Sequence, residues 1–445
     1  LILDLLVFSN VMLPNEKQGQ PIELKYADVL TKNTTGDGSI RQLLGNVKLK
    51  QGDVLVFCDK ALQYLNSNKV ELIGNVKILQ EGLILESPHI NYDGNTYIAD
   101  AIGGVKIKDT NSTLTADVGT YSTQTLIADF QKNVKFEDDS AIIYSNAIQY
   151  HRTTRNSFAY GNVHVLGKYS SAILTGDTVI NIPSAKYMQA TGKPILYQID
   201  TIKVINDIYK VDSTNLENKI SFRDSITYKY DTLSVSADSM ESIKDFGQEK
   251  YVFNHNVELV KGSAAAKASL ANYYKGEDMI TLEGKPIVWY DSTQLHADSI
   301  AIYIPGNKIN YIYAYSFNNS PNKSVACSRS DTNYFNRINQ ITGKEIKINI
   351  TSDSIRTIYS YGDAKSLYFS NEDNENSEAG AARNSADTIN IYFDKGEPSQ
   401  IIWLGGIQGE YFPERMFEKK EKEFYLPQFL WTDDKPKKKI LTKRN

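Results

Sequence analysis

Cysteine is almost missing from this chain. Only Cys58 and Cys327 occur in 445 residues. In a stack of repeats they lie too far apart for the short Cα separation that a disulfide tolerates, so both read as free thiols. Histidine is nearly as scarce, and His89, His151, His164, His255 and His296 show no ligand spacing such as His-x-x-x-His. No metal and no cofactor is expected. Charge is balanced, with a net value of −4 and a pI near 5.9, and no basic stripe runs through the body. That argues against nucleic acid as a partner. There is no Gly-x-Ser-x-Gly, no phosphate-cradling loop and no nucleophile paired with a base. No catalytic residue is assigned, and the chain is not expected to be an enzyme. Proline is also sparse, at 12, against 29 tyrosines. Abundant Tyr with Ile, Val and Thr favours strands over helices.

No run is long and apolar enough to cross a bilayer as a helix once the first residues are set aside. Those residues, Leu1 to Leu13, are apolar and precede a polar stretch from Pro14 to Gln20. They have two readings: the remainder of a secretory signal's apolar core, or a first buried strand. Residues 1–20 are taken as a possible signal-peptide remnant with its linker.

What the chain does have is a repeat. Leu44-Gly45-Asn46-Val47-Lys48-Leu49-Lys50 returns as Ile73-Gly74-Asn75-Val76-Lys77-Ile78-Leu79, and again as Ile102-Gly103-Gly104-Val105-Lys106-Ile107-Lys108. The interval is 29 residues each time, and so constant a period marks a repeat architecture. Polar turns such as Gln51-Gly52-Asp53 and Asn66-Ser67-Asn68 separate alternating runs, which makes each period two antiparallel strands. Each strand carries a break at mid-length. One kind of break is Gly-Asn, and glycine inside a strand pattern marks a bend or bulge. The other is a small residue followed by a turn former: Cys58-Asp59, Ser87-Pro88, Ala116-Asp117, Ser145-Asn146 and Gly176-Asp177. Strands bent at the middle belong to two walls at once. Val70, Leu72, Gly74, Val76 and Ile78 share one face, while Glu71, Asn75 and Lys77 take the other. The expected fold is all-β: an elongated β-jellyroll, a two-walled stack of bent antiparallel strands in 29-residue repeats.

The rhythm continues through Lys132-Asn133-Val134 and Gly161-Asn162-Val163. It reaches Gly192-Lys193-Pro194 with proline in the valine place, which predicts an edge or irregularity. Residues 195–249 are less regular, and 254–299 resume the pattern. Ser316 to Asn333 reads as a loop, Asn371 to Ala386 as polar enough to be disordered, and the part from Gln408 as a charged tail with a solvated basic run at Lys435 to Lys439. The expected organisation is 21–200 as one jellyroll, 201–315 as its continuation or a second one, 316–405 as an irregular segment with polar loops, and 406–445 as a charged tail.

Units with Gly-Asn-Val and Ala-Asp breaks at this spacing resemble the OstA-like family, which includes LptA, LptC and the periplasmic domain of LptD. The resemblance covers residues 21–310 well and 346–405 loosely. It implies a jellyroll with an open apolar groove, and a periplasmic, outer-membrane-associated protein that carries lipopolysaccharide. The implied partners are the acyl chains of lipid A and other bridge proteins docked through edge strands. Such a conduit needs a continuous apolar interior. The candidates are Val47, Leu49, Val54, Val56, Val70, Leu72, Val76, Ile78, Leu83, Leu85, Val105 and Ile107. Their plainer role is to pack against each other. The recurring Asp59, Asp117, Asp177, Asp238 and Asp298 are read as bend stabilisers bonding nearby backbone N–H groups, and Cys58 as a small buried filler. Two rival functions stay open: a parallel β-helix enzyme acting on polysaccharide, and a structural or adhesive surface protein.

Overall fold

The computed structural model describes residues 20–35, 38–169, 171–210, 221–245, 247–317, 320, 323–329, 334–370 and 379–440. The apolar start at 1–13 lies outside the described residues, as do 371–378 of the acidic stretch. The chain divides into two compact units, 1–160 and 161–445.

Unit 1 is built from β1 (Glu23–Tyr26), β2 (Val29–Thr35), β3 (Gly38–Gln51), β4 (Val54–Tyr64), β5 (Lys69–Gln80), β6 (Leu83–Asp93), β7 (Ile98–Lys108), β8 (Ser112–Ser122), β9 (Ile127–Asp138) and β10 (Ala141–His151). From β3 to β10 each strand pairs antiparallel with the next. β1 and β2 both pair with β3, on either side of Asp28, and so act as one bent strand.

Every pairing slips register at the breaks. Between β3 and β4, Leu44 faces Lys60 and then Val47 faces Cys58, so Gly45 and Asn46 together oppose Asp59. The same slip recurs between β5 and β6 and between β7 and β8. Both bulged residues are left-handed: φ is +77° at Gly74 and +44° at Asn75. Glycine has no Cβ to clash there, and asparagine tolerates that region better than most side chains, which explains the dipeptide. The bulge aims the strand into the other wall while inward residues stay inward. Val70, Leu72, Val76 and Ile78 of β5 are all buried, and Asn75 is exposed.

Unit 2 keeps the pairing rules and cuts the strands. After β11 (Asn156–Gly167) come β12 (Ala172–Ile182), β13 (Tyr187–Thr191), β14 (Ile195–Lys210), β15 (Ser221–Ser236), β16 (Ser239–Asp245), β17 (Gln248–Lys261) and β18 (Ala264–Tyr274). Then follow β19 (Met279–Glu283), β20 (Ile287–Tyr290), β21 (Thr293–His296), β22 (Ser299–Tyr303), β23 (Tyr311–Tyr315) and β24 (Ser324–Ser328). The set ends with β25 (Asn339–Gly343), β26 (Glu345–Thr351), β27 (Ser354–Ser370), β28 (Gly380–Asp394), β29 (Glu397–Leu404) and β30 (Gln408–Pro413). Where Gly-Lys-Pro replaces Gly-Asn-Val, one bent strand becomes two. β12 pairs with both β13 and β14, and β18 with both β19 and β20. Proline supplies no N–H to the ladder, so pairing stops at Pro194 and Pro286. The irregular stretch after Ile195 is a long hairpin: β14 and β15 pair from Ile195 with Ser236 to Lys210 with Ser221, without a slip.

Three expectations change. Ser316–Asn333, read as a loop, contains the strand β24, and Gly380–Ala386, read as disordered, opens β28. The charged tail is an ordered strap. Its Phe417 and Leu426 are buried with Leu367, Phe369 and Ala381, and Tyr425, Phe429 and Trp431 pack on Val325, Cys327 and Ile338. The strap crosses strands in reverse order. The Phe424 carbonyl accepts from Arg383, the Leu426 N–H donates to Gln340 Oε1 at 2.8 Å, and Thr432 exchanges hydrogen bonds with the Gln294 amide at 2.7 and 3.1 Å. Asp434 pairs with Lys267, and Lys439 with Glu258. The strap is legible only in part because its apolar anchors sit among lysines and glutamates with no strand period.

Candidate functional site

The twelve candidate residues lie on β3 to β7, and all point into the space between the two walls of unit 1. None is more than 5% exposed. Ten of the candidates lie on one wall; the other wall carries Val70 and Leu72 and also contributes Leu43, Ile90, Tyr92, Tyr121, Phe130 and Ile148, six buried residues not among those expected. The interior is therefore one continuous apolar layer, and in this structure its side chains fill it. Burying hydrocarbon is favourable by about 0.8 kcal/mol per CH₂, whether the partner is another side chain or an acyl chain.

One edge of this layer is the crease, where the strands bend. The recurring aspartate has a specific task there. Asn75 donates from Nδ2 to Asp59 Oδ2 at 2.8 Å, and Asn133 to Asp117 at 2.8 Å. Asn46 bonds Asp28 and Asn256 bonds Asp238, each at 2.9 Å. The expected backbone partner holds at Asp298, whose carboxylate accepts from the Phe317 N–H at 2.9 Å. At Asp28, Asp59, Asp117 and Asp238 the aspartate instead clasps the asparagine of the facing bulge, and Asp177 faces Gly192-Lys193 with no asparagine to clasp. A Cβ on Gly74 would come within 2.5 Å of Asp59 Oδ2, so the clasp also requires glycine at the first bulge position. At β6 and β7 the pair is replaced by Pro88 and Gly104. Ser87 Oγ donates to the Gly104 carbonyl at 2.8 Å, and a depression of about 680 Å³ opens against Val76, Val105 and Ala116.

The other edge is the mouth, where the turns of the two walls meet. The last inward residue of each strand here is polar. The Gln51 amide donates to the Gly94 carbonyl at 2.9 Å, and Tyr92 OH donates to Gln51 Oε1 at 2.5 Å. Tyr92 OH also meets Thr123 Oγ1 at 3.2 Å. One period on, Gln80 donates to the Thr123 carbonyl at 2.9 Å and accepts from Tyr121 OH at 3.2 Å. A period further, Arg152 Nε pairs with Asp109 at 3.0 Å, and its Nη2 reaches the Glu81 carbonyl at 2.6 Å. Burial pushes Tyr121 up to about 12. Burial also works to raise Asp109, but the Thr110 N–H and Arg152 outweigh it and hold the carboxyl below its ordinary value. The resemblance implies an open groove; in this structure the mouth of unit 1 is closed by side chains.

Unit 2 has its own interior space, a cavity of about 360 Å³. Ile355, Ile358, Ile391, Phe393, Ile401 and Trp403 line one side, and Asn339, Ser366 and Asn384 line another. The thiols are not chemical centres: burial pushes Cys58 up to about 11 and Cys327 up to about 12, which keeps both protonated. Among the described residues no cluster of His, Cys, Asp and Glu has metal-binding geometry, and no helix is long and apolar enough to cross a membrane.

Residues 19–175 match the family described as OstA-like protein, and residues 161–308 match the family described as LptA/(LptD N-terminal domain) LPS transport protein. The two matches together span residues 19–308, and over that range the chain is similar to the OstA-like and LptA families. Among solved structures it is similar to LptH of Pseudomonas aeruginosa, the LptA homologous periplasmic component of the conserved lipopolysaccharide transport device. The likeness is 18% in identity with a TM-score of 0.23, and it covers 26% of this chain and 87% of that one. No curated protein matches the chain. The clasps of unit 1, its mouth and its candidate residues all fall inside the OstA-like match, the Asn256–Asp238 clasp falls inside the second match, and the strap lies beyond both ranges.

The mouth residues escaped sequence reasoning although their signal was present. Gln51, Gln80 and Asp109 stand 29 residues apart, as do Tyr92, Tyr121 and Tyr150. Each looked like the polar start of a turn or an ordinary strand tyrosine. Asp28 was missed for a similar reason: its Ala27-Asp28 break precedes the first Gly-Asn-Val.

Proposed function

We propose that this OstA-like protein is a non-enzymatic lipopolysaccharide-binding component of a periplasmic transport bridge to the outer membrane, and that acyl chains lie between the walls of unit 1. The supporting observation is the uninterrupted apolar layer on β3 to β7, repeated every 29 residues within the OstA-like match. A repeated layer offers the same environment at each rung, so a hydrocarbon chain can pass along it without a deep trap. Binding chemistry of this kind rests on burial and needs no cofactor. On this reading, further bridge proteins dock by adding strands to exposed strand edges.

Photo-crosslinking groups placed at Val56, Val76 and Val105 are expected to capture lipopolysaccharide in cells. The wall-exterior positions Glu71 and Lys77 serve as controls. Equal capture at the exterior positions with none at the interior ones overturns the reading.

A further inference from the structure

The two edges of unit 1 differ in what holds them. At the crease the strands pass unbroken from one wall to the other, through bulges clasped by Asp59–Asn75 and Asp117–Asn133. The walls cannot part there without tearing the ladder. At the mouth no strand crosses. Among the described residues the walls meet there through side chains, turn carbonyls and, beside the first rung, the backbone of Gln20 and Ile22. The side-chain pairs form a series with the period of the repeat: Gln51 with Tyr92, Gln80 with Tyr121, Asp109 with Arg152. The interior behind them is already filled, with Leu49, Leu72, Ile78 and Leu85 fully buried. A guest chain therefore has to separate the walls, and the mouth is where they can separate.

We infer that the row of polar groups at the mouth is a latch, and that unit 1 opens along it to admit an acyl chain. The chemistry of the lips favours reversible opening. Apolar lips would be held shut by the cost of wetting them. Amide, phenol and guanidinium groups instead exchange bonds with each other for bonds with water at small net cost. The bonds are satisfied when shut and hydrated when open. The Arg152 rung has an additional tie, since the same guanidinium holds both Asp109 and the Glu81 carbonyl. The acyl chain as guest rests on the lipid reading above; the opening itself does not.

Two measurements separate these. Without lipid, the chain carrying Val54→Cys, an inward position beside Gln51, is labelled with a thiol reagent. Adding Gln80→Ala and Arg152→Ala is expected to speed labelling by about tenfold or more, with an unchanged far-ultraviolet spectrum. The buried native thiols, held protonated, give a slow background. With lipid, uptake of cis-parinaric acid is followed by fluorescence in a chain carrying Asp109→Cys and Arg152→Cys. Bridging the pair with a short bis-thiol reagent is expected to slow uptake by about tenfold or more relative to the unbridged form. Uptake at the same rate when bridged, or labelling unaffected by the two alanines, overturns the latch. If labelling responds while no form takes up the fatty acid, the mouth opens as inferred and the acyl-chain reading fails.

Discussion

Unit 1 and unit 2 use the same bent-strand grammar, and unit 2, which keeps it at β17 and β27, departs from it at two bends. In unit 1 a left-handed pair, Gly-Asn at two of four bends, carries the strand through, and wherever asparagine is second an aspartate from the facing strand clasps it. In unit 2 the pair becomes Gly-Lys-Pro at two places, the ladder stops, and each wall takes a separate strand. A continuous strand makes the bend itself the tie between walls. A cut strand gives that tie up, and unit 2 adds a strap across strands from β28 back to β17. Wall continuity and an external strap are thus two ways of holding a sandwich together.

The sharpest way to break the contrast is at the strap. Phe417 is fully buried against Phe369, with ring centroids 5.4 Å apart. Phe417→Ala is expected to destabilise unit 2 by about 3–5 kcal/mol. Hydrogen exchange resolved by unit should show faster opening in 161–440 and little change in unit 1. An equal effect on both would show that the strap is not particular to unit 2.

Acid should separate the units next. Burial holds the His296 imidazole at about 4, below its ordinary 6.5. The unfolded chain therefore binds the proton first. Unit 2 keeps this contribution above pH 6.5 and loses it as pH falls from 6.5 towards 4, at up to about 1.4 kcal/mol per pH unit. The Asp109 carboxyl in unit 1 is held below 3.8, so the latch contribution stays whole above that pH and is lost as pH falls through the lowered value. Protection factors, corrected for the intrinsic exchange rate, should thus fall in unit 2 first between pH 6.5 and 4.5, and His296→Gln should flatten the difference. A flat response from the unsubstituted chain would remove His296 as its cause.

The smallest expected effect is a gain. Lys193 occupies the asparagine place with φ +56°, and Asp177 lies against Gly192 as Asp59 lies against Gly74. Lys193→Asn should rebuild a clasp and stabilise unit 2 by about 0.5–1 kcal/mol in urea unfolding. No gain would mean that the clasp depends on an unbroken strand.

The fold of unit 1 was legible because its information is local and periodic. Gly45-Asn46 and Gly74-Asn75 name the bulge, and the alternation from Val70 to Ile78 names the buried face. What stayed hidden was pairing between distant rungs. That Gln51 would meet Tyr92, 41 positions away, depends on which turns face each other once the strands bend. β24 hid for another reason: Ser324, Val325, Ala326 and Cys327 are buried throughout. A strand covered on both faces loses its alternation, and here one cover is the strap.

The strap also sets an order of events during synthesis. In unit 1 each strand finds its partner one hairpin back, so the wall can grow rung by rung as the chain emerges. In unit 2, Gln294 meets Thr432 and Lys267 meets Asp434, across 138 and 167 residues. The face of Val325 and Cys327 stays wet until residues 417–432 have been made. A chain delivered N-terminus first thus presents a unit 1 that can already hold its shape and a unit 2 that is still waiting for its cover, and that interval is when a chaperone would find this protein most in need of protection.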